Sequence, residues 1–440
     1  MDKDHDFDAI VIGAGVIGGA VALALSRQGQ QVLVLDKGRE PGHGSTAGSC
    51  AIIRPYYSTV EGCALAYESH FRWKDWPTFL GTTDERGFAR YVDCGCIVMK
   101  TAANGHLLKV KALMDEIGCP YEDLDAEALQ AAAPWLTLDR YGPPVGRDDP
   151  TFGQPTGGVL EGAVRFPTGG YVTDPALSAH NLMRAAEAAG ATFRFGEEVT
   201  DICMAGGTRA VEGVRTNGNP ETIRAPVVVN VAGPHAAHLN EMAGVADEMN
   251  VSTRALRHEV AHVPLPPQSA FALRPTVFSD SDAGVYMRPE GEGHLLIGSE
   301  DPDCDPREWV DDPDAFERGF TDHWTTLVMR AAQRMPDLAI PNAAKGVVEL
   351  YDVSDDWLPI YDRSGLKGYY MACGTSGNQF KNAPVVGEMM AELIDWCERG
   401  HDHDADPVQF RLERLDRTIS LGAYSRLRTP NPDSSMSVLG

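Results

Sequence analysis

The 440-residue chain has no long apolar run. No stretch approaches the roughly 18 consecutive apolar residues of a membrane span. Met1 to Asp8 are polar and charged, unlike the apolar core of a secretory leader. A cytoplasmic protein with no membrane span is therefore expected. Cysteine is sparse and scattered: of the 9 cysteines, Cys94 and Cys96 form the only close pair. One C-x-C without a second pair does not assemble a zinc set, so free thiols in a reducing compartment and no metal site are expected. Positive charge is short as well, with 38 Lys and Arg against 63 Asp and Glu and a formal net charge of −25. Such a surface repels nucleic acid and anionic membranes, so neither is expected as a partner. Internal repeats and low-complexity tracts are also missing. With 43% apolar and 23% charged residues the chain has ordinary globular composition, and its length suits two intertwined domains better than one core.

What is present begins at once. Asp8-Ala-Ile-Val-Ile-Gly13 reads as a short buried strand, Val16 to Gln28 as an Ala- and Leu-rich helix, and Gln31 to Asp36 as a second apolar strand. This order is a parallel βαβ unit. Further on, helices are predicted over Ser58 to Leu80, Asn104 to Ile117, Ala126 to Ala133 and Asp174 to Ala189. Ala191 to Phe195, Val199 to Ile202 and Ala225 to Gly233 return to the strand texture of the start. From His235 to Pro341 alternating strands and Pro-Gly turns dominate, with Val285 to Arg288 and His294 to Gly298 expected as antiparallel neighbours. Tyr369 to Cys373 is predicted to be the last strand and Asn382 to Cys397 the last long helix, followed by a polar tail over 401–440 that wraps the surface or reaches a partner subunit.

Gly13-Ala-Gly15-Val-Ile-Gly18 has the spacing G-x-G-x-x-G and lies between the first strand and helix. Gly13 allows the tight turn, Gly15 lets a pyrophosphate approach the backbone, and Gly18 lets the helix pack on the sheet. The helix N-terminus, at Val16 and Ile17, then offers N–H groups and a positive dipole to phosphates. Asp36 ends the second strand, about 20 residues on, where a carboxylate can accept hydrogen bonds from ribose. The chain returns twice to this texture, which favours FAD over NAD because extended FAD needs a long site.

Five stretches carry a closer resemblance: the fingerprint with Asp36; Gly44-Ser-Thr-Ala-Gly-Ser-Cys-Ala-Ile-Ile-Arg54-Pro-Tyr-Tyr57; Val229-Asn-Val-Ala-Gly-Pro-His235; Val285-Tyr286-Met-Arg-Pro-Glu290 with Leu295-Leu-Ile-Gly-Ser-Glu300; and Gly374-Thr-Ser-Gly-Asn-Gln-Phe-Lys381-Asn-Ala-Pro-Val-Val-Gly387. From Phe7 to about Gly400 the chain resembles the amine-oxidising flavoenzymes of the D-amino-acid oxidase type, in their sarcosine oxidase and dimethylglycine dehydrogenase branch. The resemblance implies an α/β fold with a Rossmann-like FAD-binding domain, interleaved with an α+β substrate domain on an antiparallel sheet. The expected FAD-binding parts are 1–75, 150–232 and 345–400; the substrate domain takes 76–149 and 233–344. Cofactor contacts are expected from Gly13, Gly15, Val16, Ile17, Gly18, Asp36, Lys37, Ser45, Thr46, Val199, Ala232 and Gly233. Others are expected from Gly374, Ser376, Gly377, Asn378, Gln379, Phe380 and Lys381.

By the same likeness Arg54 and Lys381 clamp a substrate carboxylate. The chemistry agrees, since Arg presents a planar fork that matches a carboxylate and Lys adds a point charge. The bland alternatives are that Arg54 pairs with a structural carboxylate and Lys381 caps a helix. Tyr286 and Tyr351 match active-site tyrosines of the family, each equally readable as a core aromatic. His258 matches a segment near the pocket, where it could tune the protonation of an amine, or serve only structure.

Departures from the family pattern sharpen the expectation. Relatives that attach the flavin covalently use a cysteine two residues before the tyrosine matched by Tyr351, or a histidine just after the G-S-T motif. Here those places hold Glu349 and Ala47-Gly48-Ser49, so FAD is expected to be non-covalent. The oxidases hold a lysine over the flavin to activate oxygen; here the matching place falls near Leu296, and no lysine lies between Val285 and Glu300. That favours a dehydrogenase, with O2, a quinone or an electron-transfer protein as the acceptor to be distinguished. The folate-binding C-terminal region of dimethylglycine dehydrogenases is absent from this sequence. The implied reaction removes two electrons from the C–N bond of a small amino acid, N-methylated or cyclic, with hydride passing to flavin N5. Rival expectations are a primary amino-acid (glycine or D-amino-acid) oxidase, a 2-hydroxyacid dehydrogenase, and an FAD-binding subunit of a heteromeric complex. A homo-oligomer is compatible with the sequence.

Overall fold

The computed structural model describes residues 5–266, 269–291 and 293–439. Met1–Asp4, Pro267–Gln268, Glu292 and Gly440 lie outside the described residues, including the first half of the expected polar start and the last residue of the tail.

One centre is a six-stranded sheet in the order Ile360–Arg363, Tyr369–Cys373, Val227–Asn230, Ala9–Ile12, Val32–Asp36, Thr192–Phe195. All neighbours are parallel except the first pair. Side chains alternate across a strand, and here both faces are covered, which explains the unbroken apolar runs. Ala9, Val11, Val34 and Val229 point into a core with the helix residues Val21, Leu182 and Val386. Ile10, Ile12, Leu33, Leu35 and Val228 point the other way, onto Ile202, Val214 and Ile223 of a three-stranded antiparallel sheet.

The second centre is a nine-stranded mixed sheet built around the long strand Thr253–Pro264. One edge of that strand pairs along its length with Gly346–Ser354. Its other edge pairs with Glu308–Val310 and then with His294–Ser299. Val285–Glu290 follows, antiparallel to His294–Ser299 as expected. The strands Gly162–Phe166 and Gly346–Ser354 both belong to this sheet, although the sequence grouped 150–232 and 345–400 with the cofactor domain.

Three expectations need correction. The helix predicted over Ser58 to Leu80 is two, Val60–Lys74 and Trp76–Leu80, broken at Asp75 just before Pro77, where a proline is tolerated only at a helix start. The strand-rich stretch after His235 also holds the helix Asp322–Arg334, capped by the Thr321 side chain. It buries Trp324, Leu327, Val328 and Ala331, a helical spacing that the sequence contains but the turn-rich texture around it obscured. Tyr369–Cys373 is not the last strand, since Gln409–Leu412 and Arg417–Ser420 form a later hairpin that buries Phe410, Leu412 and Ile419. The stretch after Gly400 folds back onto the molecule: Arg426 pairs with Asp362 and Asp404, and Arg428 with Asp356. Among the described residues, no helix is long and apolar enough to cross a membrane.

Candidate active site

The glycine turn sits at the C-terminal end of strand Ala9–Ile12, where open parallel sheets take their ligands. Gly13 has φ +115°, and a Cβ there would lie 2.5 Å from the Val231 carbonyl oxygen; one on Gly18 would lie 1.9 Å from the Gly13 carbonyl oxygen. Neither position admits a side chain. Gly15 opens the helix Val16–Arg27 without a capping side chain, and the Val16 N–H donates to Thr46 Oγ1 at 3.1 Å. Asp36 accepts from the Ala14 and Gly38 N–H groups at 2.6 and 2.7 Å, so its carboxylate is fixed at the turn. Val231 and Ala232, just after the adjacent strand Val227–Asn230, border the same turn, and Gly233 comes next. Ser45 donates to the Leu350 carbonyl at 2.7 Å, tying the Gly44–Cys50 loop to strand Gly346–Ser354. Two other expected contacts flank the strands on either side of the turn. Lys37 is engaged with Asp314 and His235 at the surface, and Val199 is packed under the sheet with Ile12 and Leu35.

The loop Gly374–Gln379 leaves the C-terminal end of another parallel strand. Buried Asp352 accepts from the Gly374 N–H at 2.6 Å and organises this loop. Burial pushes that carboxyl up to about 7, against the pull of the Gly374 and Thr375 amides. The Ser376 N–H donates to the Asp352 carbonyl at 2.7 Å. A Cβ on Gly377 would lie 2.5 Å from the Tyr351 ring, so the loop lies directly on that ring. Gln379 donates to Asn378 Oδ1 at 2.6 Å and accepts from Tyr361. Phe380 stacks on Trp73 with centroids 5.3 Å apart.

This loop delivers Lys381 to a cavity of about 60 Å³ lined by Arg54, Lys381, Tyr286, Tyr351 and the Cys50–Ile52 loop, among others. Lys381 Nζ donates to the Asn378 carbonyl at 2.5 Å and to Tyr57 Oη at 2.8 Å. Arg54 donates to the carbonyls of Tyr56 and Val438. Both cations lie against the Tyr57 ring, 4.8 Å and 4.7 Å from its centroid. Both are buried, and among the described residues neither pairs with a carboxylate. Burial, and then the nearby Arg54 charge, pushes Lys381 well below its ordinary value. Among the described residues Arg54 therefore makes no structural ion pair.

Tyr286 and Tyr351 come from two strands of the large sheet, and their hydroxyls approach to 3.5 Å. Burial raises both phenols, so they are neutral donors. His258 stands one layer back: its ring stacks on Tyr351 at 4.0 Å and is absent from the cavity lining. Burial pushes it down to about 3, so it is uncharged at neutral pH.

Residues 8–393 match the DAO family of FAD dependent oxidoreductases. The chain belongs to that family. Its DAO-family relatives include the glycine oxidase of Geobacillus kaustophilus, 24% identical over 90% of this chain and 95% of that protein. Human mitochondrial sarcosine dehydrogenase is 31% identical over 59% of this chain and 28% of its own length. The crystal structure of the G. kaustophilus glycine oxidase superposes with a TM-score of 0.72 at 22% identity, covering 96% of this chain and 99% of that one.

As a DAO-family oxidoreductase the protein takes FAD, and the residues present fit it. The side-chain-free turn at Gly13, Gly15 and Gly18 leaves backbone N–H groups open to a pyrophosphate at the helix start, where anions bind best.

Two groups, one touching Lys381 and one beside the cavity-lining Cys50, went unremarked in the sequence. Tyr57 bridges the Lys381 and Asn378 groups, and only its place beside Arg54 in the motif hinted at it. Arg288, opposite Leu296 on the neighbouring strand, is buried, pairs with Glu290 and lies 4.5 Å from the centroid of the Tyr171 ring. Its two-residue offset from Tyr286 was the available signal, because it places both on one face.

Proposed function

We propose that the protein oxidises the C–N bond of a small amino acid, with Arg54 and Lys381 gripping its carboxylate. The observation that carries this is a pair of buried cations, side by side in one cavity, that pair with no carboxylate among the described residues. Burying unpaired charge is costly, and a bound anion relieves it. Bound FAD supplies the two-electron acceptor. Holding the carboxylate fixes the neighbouring C–H bond, an orientation effect that lowers the barrier without a strong protein base. The neutral Tyr286 and Tyr351 hydroxyls wall the opposite side and donate to the amine region or the leaving face of the substrate. His258 holds the Tyr351 ring by stacking. In this reading the parallel-sheet side of the molecule serves the cofactor and the nine-stranded sheet serves the substrate.

An N-methylated or cyclic amino acid is the first reading, supported by the likeness to a sarcosine dehydrogenase. A primary amine is the second reading, favoured by the near full-length likeness to a glycine oxidase. Leu296, where oxidases of the family hold a lysine, supports a dehydrogenase. Anaerobic mixing of the holoenzyme with N-methyl amino acids, cyclic imino acids, glycine, D-amino acids and 2-hydroxyacids tests the reading. Bleaching of the flavin by a secondary-amine amino acid is expected. Bleaching by hydroxyacids alone would overturn it. Turnover with an added dye acceptor should exceed turnover with oxygen; equal rates would remove the dehydrogenase assignment.

A further inference from the structure

One wall of the cavity belongs to neither sheet. After Arg428, anchored on Asp356 by bonds of 2.7 and 2.9 Å, the chain crosses the surface and turns inward. Val438 is buried in an apolar cluster with Cys50, Tyr286 and Trp357. Its carbonyl oxygen accepts from Arg54 Nη2 at 2.7 Å, and its N–H faces the buried Asp301 carboxyl. Two residues earlier the Met436 carbonyl accepts from Arg307 Nη2 at 2.9 Å, while the Met436 side chain is 41% exposed. Ser434, Ser435 and Ser437 hydroxyls bond only within the segment, among the described residues. The segment is therefore held at its tip by Arg54 and the packing of Val438, and at its bend by Arg307.

We propose that residues 434–439 form a strap that closes the substrate cavity, the Val438 carbonyl standing on Arg54 where the substrate carboxylate binds. The inference rests on the reading of Arg54 as a carboxylate ligand. A buried guanidinium without an acceptor is unstable, and the carbonyl satisfies it in the resting protein. A carboxylate is the stronger acceptor, because hydrogen bonds between two charged groups are roughly twice as strong. An anion can thus displace the strap, whereas a neutral amine of the same size cannot. In the resting protein the Val438 carbonyl occupies Arg54 Nη2, and Val438 and Leu439 form part of the cavity lining. A carboxylate that takes up Arg54 Nη2 needs the strap to move, and Val438, packed with Tyr286, then limits the side chain that is accepted.

Stopped-flow mixing of the holoenzyme with acetate or benzoate, read by the flavin absorbance change, tests the strap. The observed rate should level off at high concentration, at one plateau common to both anions, because opening precedes binding. Arg307→Ala, which loosens the bend outside the cavity, should raise that plateau about tenfold, the effect of losing one charge-assisted bond. Val438→Gly, which removes the packing of the tip, should raise it as well. Rates that climb linearly with no plateau, or plateaus identical in all three proteins, would overturn the strap while leaving the Arg54 reading intact. If neither anion perturbs the flavin at any concentration, the carboxylate reading fails and the strap with it.

Discussion

Replacing Lys381 with methionine removes one of the two buried cations and keeps nearly the same volume. In the native protein Nζ bonds to the Asn378 carbonyl and Tyr57 Oη, and burial beside Arg54 disfavours its charge. A bound carboxylate adds an opposite charge and raises the Lys381 pKa again. Binding therefore takes up a proton once the pH exceeds the depressed pKa of the free protein. From there toward the ordinary lysine value, affinity for a carboxylate falls with rising pH, by up to about tenfold per pH unit. Below the free-state pKa the profile is flat. Losing a charge-assisted hydrogen bond costs about 1.5–3 kcal/mol, so Lys381→Met should weaken acetate binding roughly 10- to 150-fold in the flat region. Its pH dependence through this range should also vanish. The assay is acetate titration of the holoenzyme by flavin absorbance across the neutral and alkaline range. Acetate has no amine, so substrate ionisation does not intrude. A native profile without pH dependence, or an equal slope in the variant, would refute the assignment of Lys381.

Other consequences are independent of the clamp. Gly18→Ala places a methyl against the Gly13 carbonyl, so the purified variant should lose its flavin absorbance; full occupancy would show that the turn yields. Acid precipitation should leave the yellow colour in the supernatant, and colour kept in the pellet would mean a covalent flavin. Arg334→Met strips buried Asp280 and Asp282 of a shared partner held at 2.7 and 2.9 Å, a loss of about 3–5 kcal/mol. Thermal melting should drop accordingly at neutral pH. The deficit should shrink in acid, because burial already raises the Asp280 pKa and a protonated carboxyl no longer needs the guanidinium. An unchanged melting point would count against that pairing.

The parallel sheet was legible because its signals are local. A glycine turn between two apolar runs needs no distant partner to be read, and Ala9–Ile12 and residues 32–35, buried on both faces, are apolar throughout. The motifs also led to Arg54 and Lys381, which are 327 positions apart and meet only in the fold. What local pattern could not give was context. The helix Asp322–Arg334 has a clear apolar stripe, yet the Pro- and Gly-rich flanks masked it. His258 belongs to the motif neighbourhood but faces the back of Tyr351, because strand pairing of His258 with Glu349 sets which layer it enters. The role of the final segment was illegible for the same reason: Ser434-Ser-Met-Ser-Val438 is polar in sequence, and only the meeting of Val438 with Arg54 gives it meaning.

In the proposed function a carboxylate is held beside the cofactor while the adjacent C–N bond is oxidised. The most direct measurement compares anaerobic flavin reduction by an N-methyl amino acid with reduction by the matching N-methyl amine that lacks the carboxylate. Stoichiometric bleaching by the amino acid, none by the amine, and loss of the difference in Arg54→Met would agree with it. Equal bleaching by both compounds in the native protein would contradict it.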